Sequence, residues 1–177
     1  MGIRTVRMLG DSLLRETSEV VTAFDDTLFQ VIMDVTDTLV HLQKEKGIVQ
    51  ALAAPQVGHF KRIVAVNLPD RRLLLVNPVI FERSPEMVDV WDSCFSFDVA
   101  FFVRVQRHAT IRVRWQDALG QTQEETFEGS HSELLQHEID HLNGVLPIDR
   151  LECGKTTDRP WAAESIIMRS EWEKRFR

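Results

Sequence analysis

Cysteine is scarce in this chain: Cys94 and Cys153 are the two present among 177 residues. A disulfide framework is therefore not indicated, and a reducing compartment is expected. In such a compartment a cysteine accompanied by histidine and glutamate points to catalysis or metal binding. Long apolar runs are missing as well, since none approaches the ~18 residues of a membrane span. The first residues lack the apolar core of a secretory signal. They begin Met1-Gly2, but Val6 breaks the myristoylation pattern. Positive charge falls short of negative, with 21 Lys and Arg against 27 Asp and Glu and a net charge of −6. That balance gives no footprint for nucleic acid or anionic membrane. The short basic run at 174–177 fits a solvated helix end. Only 8 glycines and 6 prolines occur, with no low-complexity linker and no internal repeat. A soluble, cytoplasmic protein without nucleic-acid or membrane partners is expected.

The residues that are present suit a folded chain: 44% are hydrophobic and 27% charged. One domain over residues 1–177 is expected. Between 24 and 46, Phe24, Leu28, Val31, Val35, Leu39 and Leu42 recur at steps of three and four, one face of an amphipathic helix stopped by Gly47. The period then changes. Residues 63–66 and 73–76 are short aliphatic runs, bounded by 67–70 and by Asn77-Pro78. Residues 87–91 and the alternating 111–115 also read as strands. Asp117-Ala118-Leu119-Gly120 reads as a hairpin turn into 124–127. A second helix starts near Ser130, whose spacing from Glu133 fits a capping box, and ends at Asn143-Gly144. A last helix is predicted over 161–177. The pattern predicts an α+β fold, with antiparallel or mixed sheets around a buried central helix and further helices toward each end.

The chemistry concentrates in His137-Glu138-Ile139-Asp140-His141. Residues four apart share one helix face, so both imidazoles can ligate one ion. Glu138 follows the first of them, placed to act on a water at the ion rather than on the ion itself. Leu134, Leu135, Ile139 and Leu142 flank the segment, which argues against an exposed helix carrying chance histidines. Buried without a metal, such a cluster would be costly. A tetrahedral site needs a third protein ligand, and Cys94, just after a predicted strand, is the softest option. A buried inert thiol remains the competing reading for Cys94 on its own. Cys153, in a polar stretch before Gly154-Lys155, reads as incidental.

Over nearly its whole length the chain resembles the peptide deformylases. It has the Ile3-Arg4 start, Leu13-Leu14-Arg15, the first helix and three ordered motifs. Ala53-Ala54-Pro55-Gln56-Val57-Gly58 resembles the end of the first, Asp92-Ser93-Cys94-Phe95-Ser96 the second, and Gln136 to His141 is the third intact. The resemblance implies Cys94, His137 and His141 as metal ligands and Glu138 as acid/base. It implies Gln56 and the backbone N–H of Phe95 as the holders of an oxyanion, a kind of donor typically worth a few kcal/mol in the barrier. It also implies one divalent ion, usually ferrous iron, with zinc, nickel or cobalt as substitutes. The implied reaction takes an N-formyl amide to formate and a free amine. The substrate is then an N-formylated peptide or a small formyl-amine, and an ordinary deformylase would work near the ribosome.

Departures from the family pattern fall around the substrate. Where the first motif opens Gly-aliphatic-Gly, this chain has Val49-Gln50-Ala51. Side chains at Val49 and Ala51 are expected to crowd a peptide pairing as a strand, and Gln50 replaces an apolar pocket residue. Glu133, beside Leu134, lies four residues before His137 on the metal face, unless the capping box claims it. Asp92, Ser93 and Phe95 replace Glu, Gly and Leu of the second motif; Arg107 and Arg104 read by default as surface arginines, with either as the candidate partner for Asp92. The arginine usual a few residues later is missing from 97–102. The expected function is therefore a divergent, deformylase-like, metal-dependent amide hydrolase with an altered pocket, suited to a polar or cationic formamide. Three other readings compete: an ordinary deformylase acting on formylmethionyl chains, an inactive binding protein of the same fold, and a zinc peptidase.

Overall fold

The change of period in mid-chain becomes eight strands in the computed structural model, which describes residues 2–47, 49–151 and 165–176. In chain order these are β1 Ala51–Ala53, β2 Ile63–Asn67, β3 Arg72–Arg83, β4 Met87–Asp92, β5 Phe101–His108, β6 Thr110–Gln116, β7 Thr122–Glu128 and β8 Ile166–Met168. The helices are α1 Asp26–Lys46, α2 Gly129–Leu142 and α3 Arg169–Phe176. A five-stranded sheet runs β1-β2-β3-β6-β7 and a three-stranded sheet β4-β5-β8. Every pairing within the two sheets is antiparallel. The α+β expectation holds, and the histidine motif lies on the buried helix α2.

The larger sheet is covered on both faces, and strand alternation sorts its residues. Ile63 and Ala65 of β2 join Leu28, Ile32, Val35 and Leu39 of α1 in one cluster. Val64 and Val66 point the other way and join Leu135, Ile139 and Leu142 of α2. That explains why β2 reads as an unbroken apolar run, since a strand buried on both faces has no polar side. Each such Leu, Val or Ile contributes roughly 1.5–3 kcal/mol by burial. Helix α2 touches β1, β2, β6 and β7 of one sheet and β5 of the other, and every residue from Leu135 to Leu142 is buried.

Helix α1 matches its reading closely. The Asp25 side chain accepts the Leu28 N–H, and Gly47 closes the helix at φ 70°. Phe24 lies just outside it, packed on the same cluster. The Asp117 turn also forms: its carboxylate accepts the N–H groups of Leu119 and Gln121, and β6 and β7 pair from there.

Three expectations about these elements are corrected. Strand β3 runs on through Asn77-Pro78 instead of ending there. Its pairing with β6 shifts between Val76 and Val79, Asn77 takes φ 52°, and the Asn77 side chain bonds the Val21 backbone and Gln116. An irregularity of that kind lets a proline sit inside a strand. The capping box does not form: α2 begins at Gly129, its N-cap is Glu128, and no side chain caps it. The predicted last helix starts only at Arg169, because Ile166–Met168 pairs with β5 as β8; positions 161–164 and Cys153 lie outside the described residues. Strands β1 and β5, unread in the sequence, also form. Among the described residues, no helix is long and apolar enough to cross a membrane.

Candidate active site

The helical period of α2 brings the Nε2 atoms of His137 and His141 to 3.1 Å of each other. Cys94 comes from the loop after β4, and its sulfur lies 3.2 Å from His141 Nε2. The three ligand-type atoms all fall within 4.8 Å, and all three residues are buried. A thiol sulfur and two imidazole nitrogens converging away from solvent fit a divalent transition ion, by both donor softness and number. The Ser96 N–H and the Gln56 amide also point at the sulfur, at 3.4 and 3.5 Å.

Around this cluster the ionisable groups form a chain. Asp92 accepts from His137 Nδ1 at 2.7 Å, which leaves Nε2 for the cluster. Its other oxygen takes Arg107 at 2.7 Å; Arg107 also reaches Asp140 at 2.5 Å, and Arg150 closes on Asp140 from the far side. Of the two partners expected for Asp92, Arg107 is the one, while Arg104 bonds Asp89. Burial would raise the Asp92 carboxyl, but the charges and hydrogen bonds of His137 and Arg107 outweigh it and hold the group well below the usual range. Burial would likewise lower His137, yet the Asp92 carboxylate lifts it well above the ordinary imidazole value. Among the described residues His141 Nδ1 has no such partner, and burial pushes the imidazole well down.

Glu138 is 3% exposed, and among the described residues its Oε2 has no hydrogen-bond partner. Burial pushes its carboxyl up to about 7, near the value suited to proton exchange at neutral pH. Gln56 sits in a short 3-10 turn, Ala54–Val57. Its side-chain carbonyl accepts the Ala53 N–H at 2.9 Å, and its amide donates to Ser96 Oγ at 3.2 Å. The bond to its own loop is what aims the amide at the cluster. Phe95 opens another 3-10 turn, Phe95–Phe97, where the first N–H groups are not consumed by the turn itself.

A cleft of about 390 Å³ opens over these groups, lined by Gln56, Phe95, His137 and Glu138. Val49, Gln50, Ala51, Glu133 and Leu134 line it too, so these residues named from the sequence meet here, while Cys94 and His141 are not part of the lining. Val49 and Ala51, however, are 7% and 6% exposed and belong to the core clusters, so their side chains are packed away rather than projecting; Gln50 stays exposed. The sequence reading missed Ser130, Trp91 and, from α3, Arg169, Trp172 and Glu173. No local signal could have brought α3 here, because only the pairing of β8 with β5 places it.

Fold and site together are those of a metal-dependent hydrolase. Residues 3–156 match the polypeptide deformylase family, and the chain belongs to that family, whose members remove N-formyl groups. A peptide deformylase of Thermotoga neapolitana is 39% identical over 150 residues, 85% of this chain and 88% of that one. The crystal structure of the Thermotoga maritima peptide deformylase superposes with a TM-score of 0.78 at 36% identity, covering 86% of this chain and 99% of that one. An Acinetobacter baumannii peptide deformylase with Met-Ala-Ser bound gives 0.75 at 27% identity, covering 85% and 99%. Helix α3 lies beyond the residues matched to the family.

Proposed function

We propose that this chain hydrolyses the N-formyl amide of a peptide or peptide-like amine, giving formate and the free amine, with Cys94, His137 and His141 holding one divalent ion. The observation that carries the reading is the convergence of those three ligand atoms beside a buried glutamate whose Oε2 has no hydrogen-bond partner among the described residues, next to a cleft that His137 and Glu138 line. When bound, the ion supplies Lewis acidity that lowers the pKa of water from about 15.7 toward ~7. Ferrous iron is the preferred ion, with zinc or nickel as substitutes, since mixed thiolate and imidazole sites accept several divalent ions.

The chain's own groups divide the remaining work. Asp92 fixes the ring of His137. The Gln56 amide and the Phe95 N–H donate to the formyl oxygen as it gains charge, at a typical worth of a few kcal/mol. Glu138 takes a proton from the attacking water and gives it to the amine nitrogen as the C–N bond breaks, so one carboxyl serves as base and then acid. The substrate backbone runs beside β1, an edge strand, as an added strand would. A peptide in the cleft is supported by the Met-Ala-Ser bound to the Acinetobacter relative. Gln50 and Glu133 make the pocket itself more polar than the family pattern leads one to expect. The second reading, removal of formyl from formylmethionyl chains near the ribosome, is favoured by the close match to proteins called peptide deformylase.

Replacing Glu138 with Ala tests the enzyme reading against an inactive binding protein. Formate release should fall at least ~10²-fold with the metal content unchanged. A variant as active as the parent would end the assignment of Glu138.

A further inference from the structure

We infer that the cleft selects N-formylated amines with a cationic side chain, and that Glu133 is the residue that recognises the charge. The inference rests on the formamide-hydrolase reading above and names its substrate class.

Glu133 projects from α2 one turn before His137 and lines the same cleft as His137, Glu138 and Gln50. It is half-buried. Among the described residues it makes no hydrogen bond and no ion pair, while Asp92 and the cations Arg107 and Arg169 are already engaged. Asp92 is held by His137 and Arg107. Arg107 is shared between Asp92 and Asp140. Arg169, the cation that α3 brings to the cleft, lies 2.9 Å from Glu173 on its own helix. Burial and the nearby Asp92 carboxylate both raise the Glu133 pKa, with Arg107 only partly offsetting them.

Water in the open cleft solvates that carboxylate until a substrate side chain displaces it. A thioether or alkyl side chain brings neither charge nor donor, and leaves a carboxylate both desolvated and unpaired. An ammonium or guanidinium group replaces the lost water with a charge-assisted bond. The other lining groups suit the same guest. Trp91, Phe102 and Trp172, the last two stacked on each other, add aromatic rings to the lining, a residue type that attracts cations. The Gln50 side chain, also without a hydrogen-bond partner among the described residues, adds a carbonyl acceptor.

The experiment compares kcat/KM for formyl-Lys-Ala and formyl-Met-Ala by formate release, using the full chain loaded anaerobically with ferrous iron, at low and high salt. Wild type should prefer the lysyl peptide by tenfold or more, chiefly through KM, and the preference should shrink as salt screens the pair. Glu133→Gln, which keeps the shape and removes the charge, should collapse the ratio toward one; Glu133→Leu should reverse it. If wild type cleaves the methionyl peptide as well as or better than the lysyl one, the inference is overturned and the hydrolase reading stands. If iron-loaded wild type releases formate from neither peptide, the hydrolase reading falls and takes this inference with it. Because the result is a ratio of two substrates on one preparation, partial misfolding of a variant cancels out.

Discussion

Asp92 has a shorter side chain than the glutamate of the family motif, and it still spans His137 on one oxygen and Arg107 on the other. It is thus the hinge between the metal cluster and a buried ion chain. Asp92→Asn keeps an acceptor for His137 but removes the charge that both partners face. Metal affinity should fall 10–100-fold, about the usual loss when a ligand's supporting partner is changed, as measured by competition with a chelator. Stability should fall by about 1–3 kcal/mol in denaturant titration, because Arg107 is 2% exposed and keeps only Asp140. Unchanged chelator competition would remove Asp92 from the site. Whether Arg104 or Arg107 was the partner could have been settled by strand parity. On β5, Val103, Val105 and Arg107 face inward while Arg104 and Gln106 face solvent, and an arginine in phase with two buried valines is the one that turns in. Parity needs the strand to be recognised first, and the apolar stretch from Phe97 to Phe102 masks where it begins.

Helix α2 carries both histidines and Glu138, so the way it ends decides where they sit. Gly144 has φ 70°, and a Cβ there would lie 2.2 Å from the carbonyl oxygen of Arg15. Backbone on both sides leaves no flexible side chain to yield. Gly144→Ala should therefore cost at least ~2 kcal/mol, combining a left-handed conformation with a backbone clash. It should also weaken metal binding, since His141 is three residues away. Gly120→Ala makes a useful comparison: its φ is 80°, but its Cβ would meet only the Phe24 ring at 3.4 Å, far from the cluster. Equal losses for the two variants would show that Gly144 does no more than any left-handed glycine. Both long helices were legible because their apolar groups repeat over several turns. The start of α2 was misread because Ser130 and Glu133 satisfy the capping-box spacing while lining the cleft instead. Three-residue strands such as β1 and β8 are too short to show a period at all.

At the scale of the molecule, the segment ahead of α1 ties the motif-bearing pieces together. The Arg7 N–H bonds the Gln56 carbonyl at 2.7 Å, the Leu9 N–H the Ser96 carbonyl at 2.7 Å, and the Ser18 N–H the Leu142 carbonyl at 2.9 Å. None of these long-range bonds leaves a local trace in the sequence, although the Ile3-Arg4 start belongs to the resemblance. The segment is anchored to α1 by Arg4, which bonds Thr38 through its backbone and Asp34 through its side chain. Asp34 is buried, and burial alone would raise its carboxyl. Hydrogen bonds from Arg4, Gln30 and His59 outweigh that and hold it at about 2, below its ordinary 3.8. A carboxyl whose folded pKa is depressed stabilises the fold above its unfolded value, and that contribution is lost as pH falls through the folded one. Asp34→Asn should thus be less stable than wild type by about 1–3 kcal/mol at neutral pH. The gap should narrow below pH 3.8 and close near pH 2, followed by urea unfolding at each pH. A gap that stays constant across this window would mean that the amide loses shape rather than charge, and that the Arg4 anchor does not depend on the ionisation of Asp34.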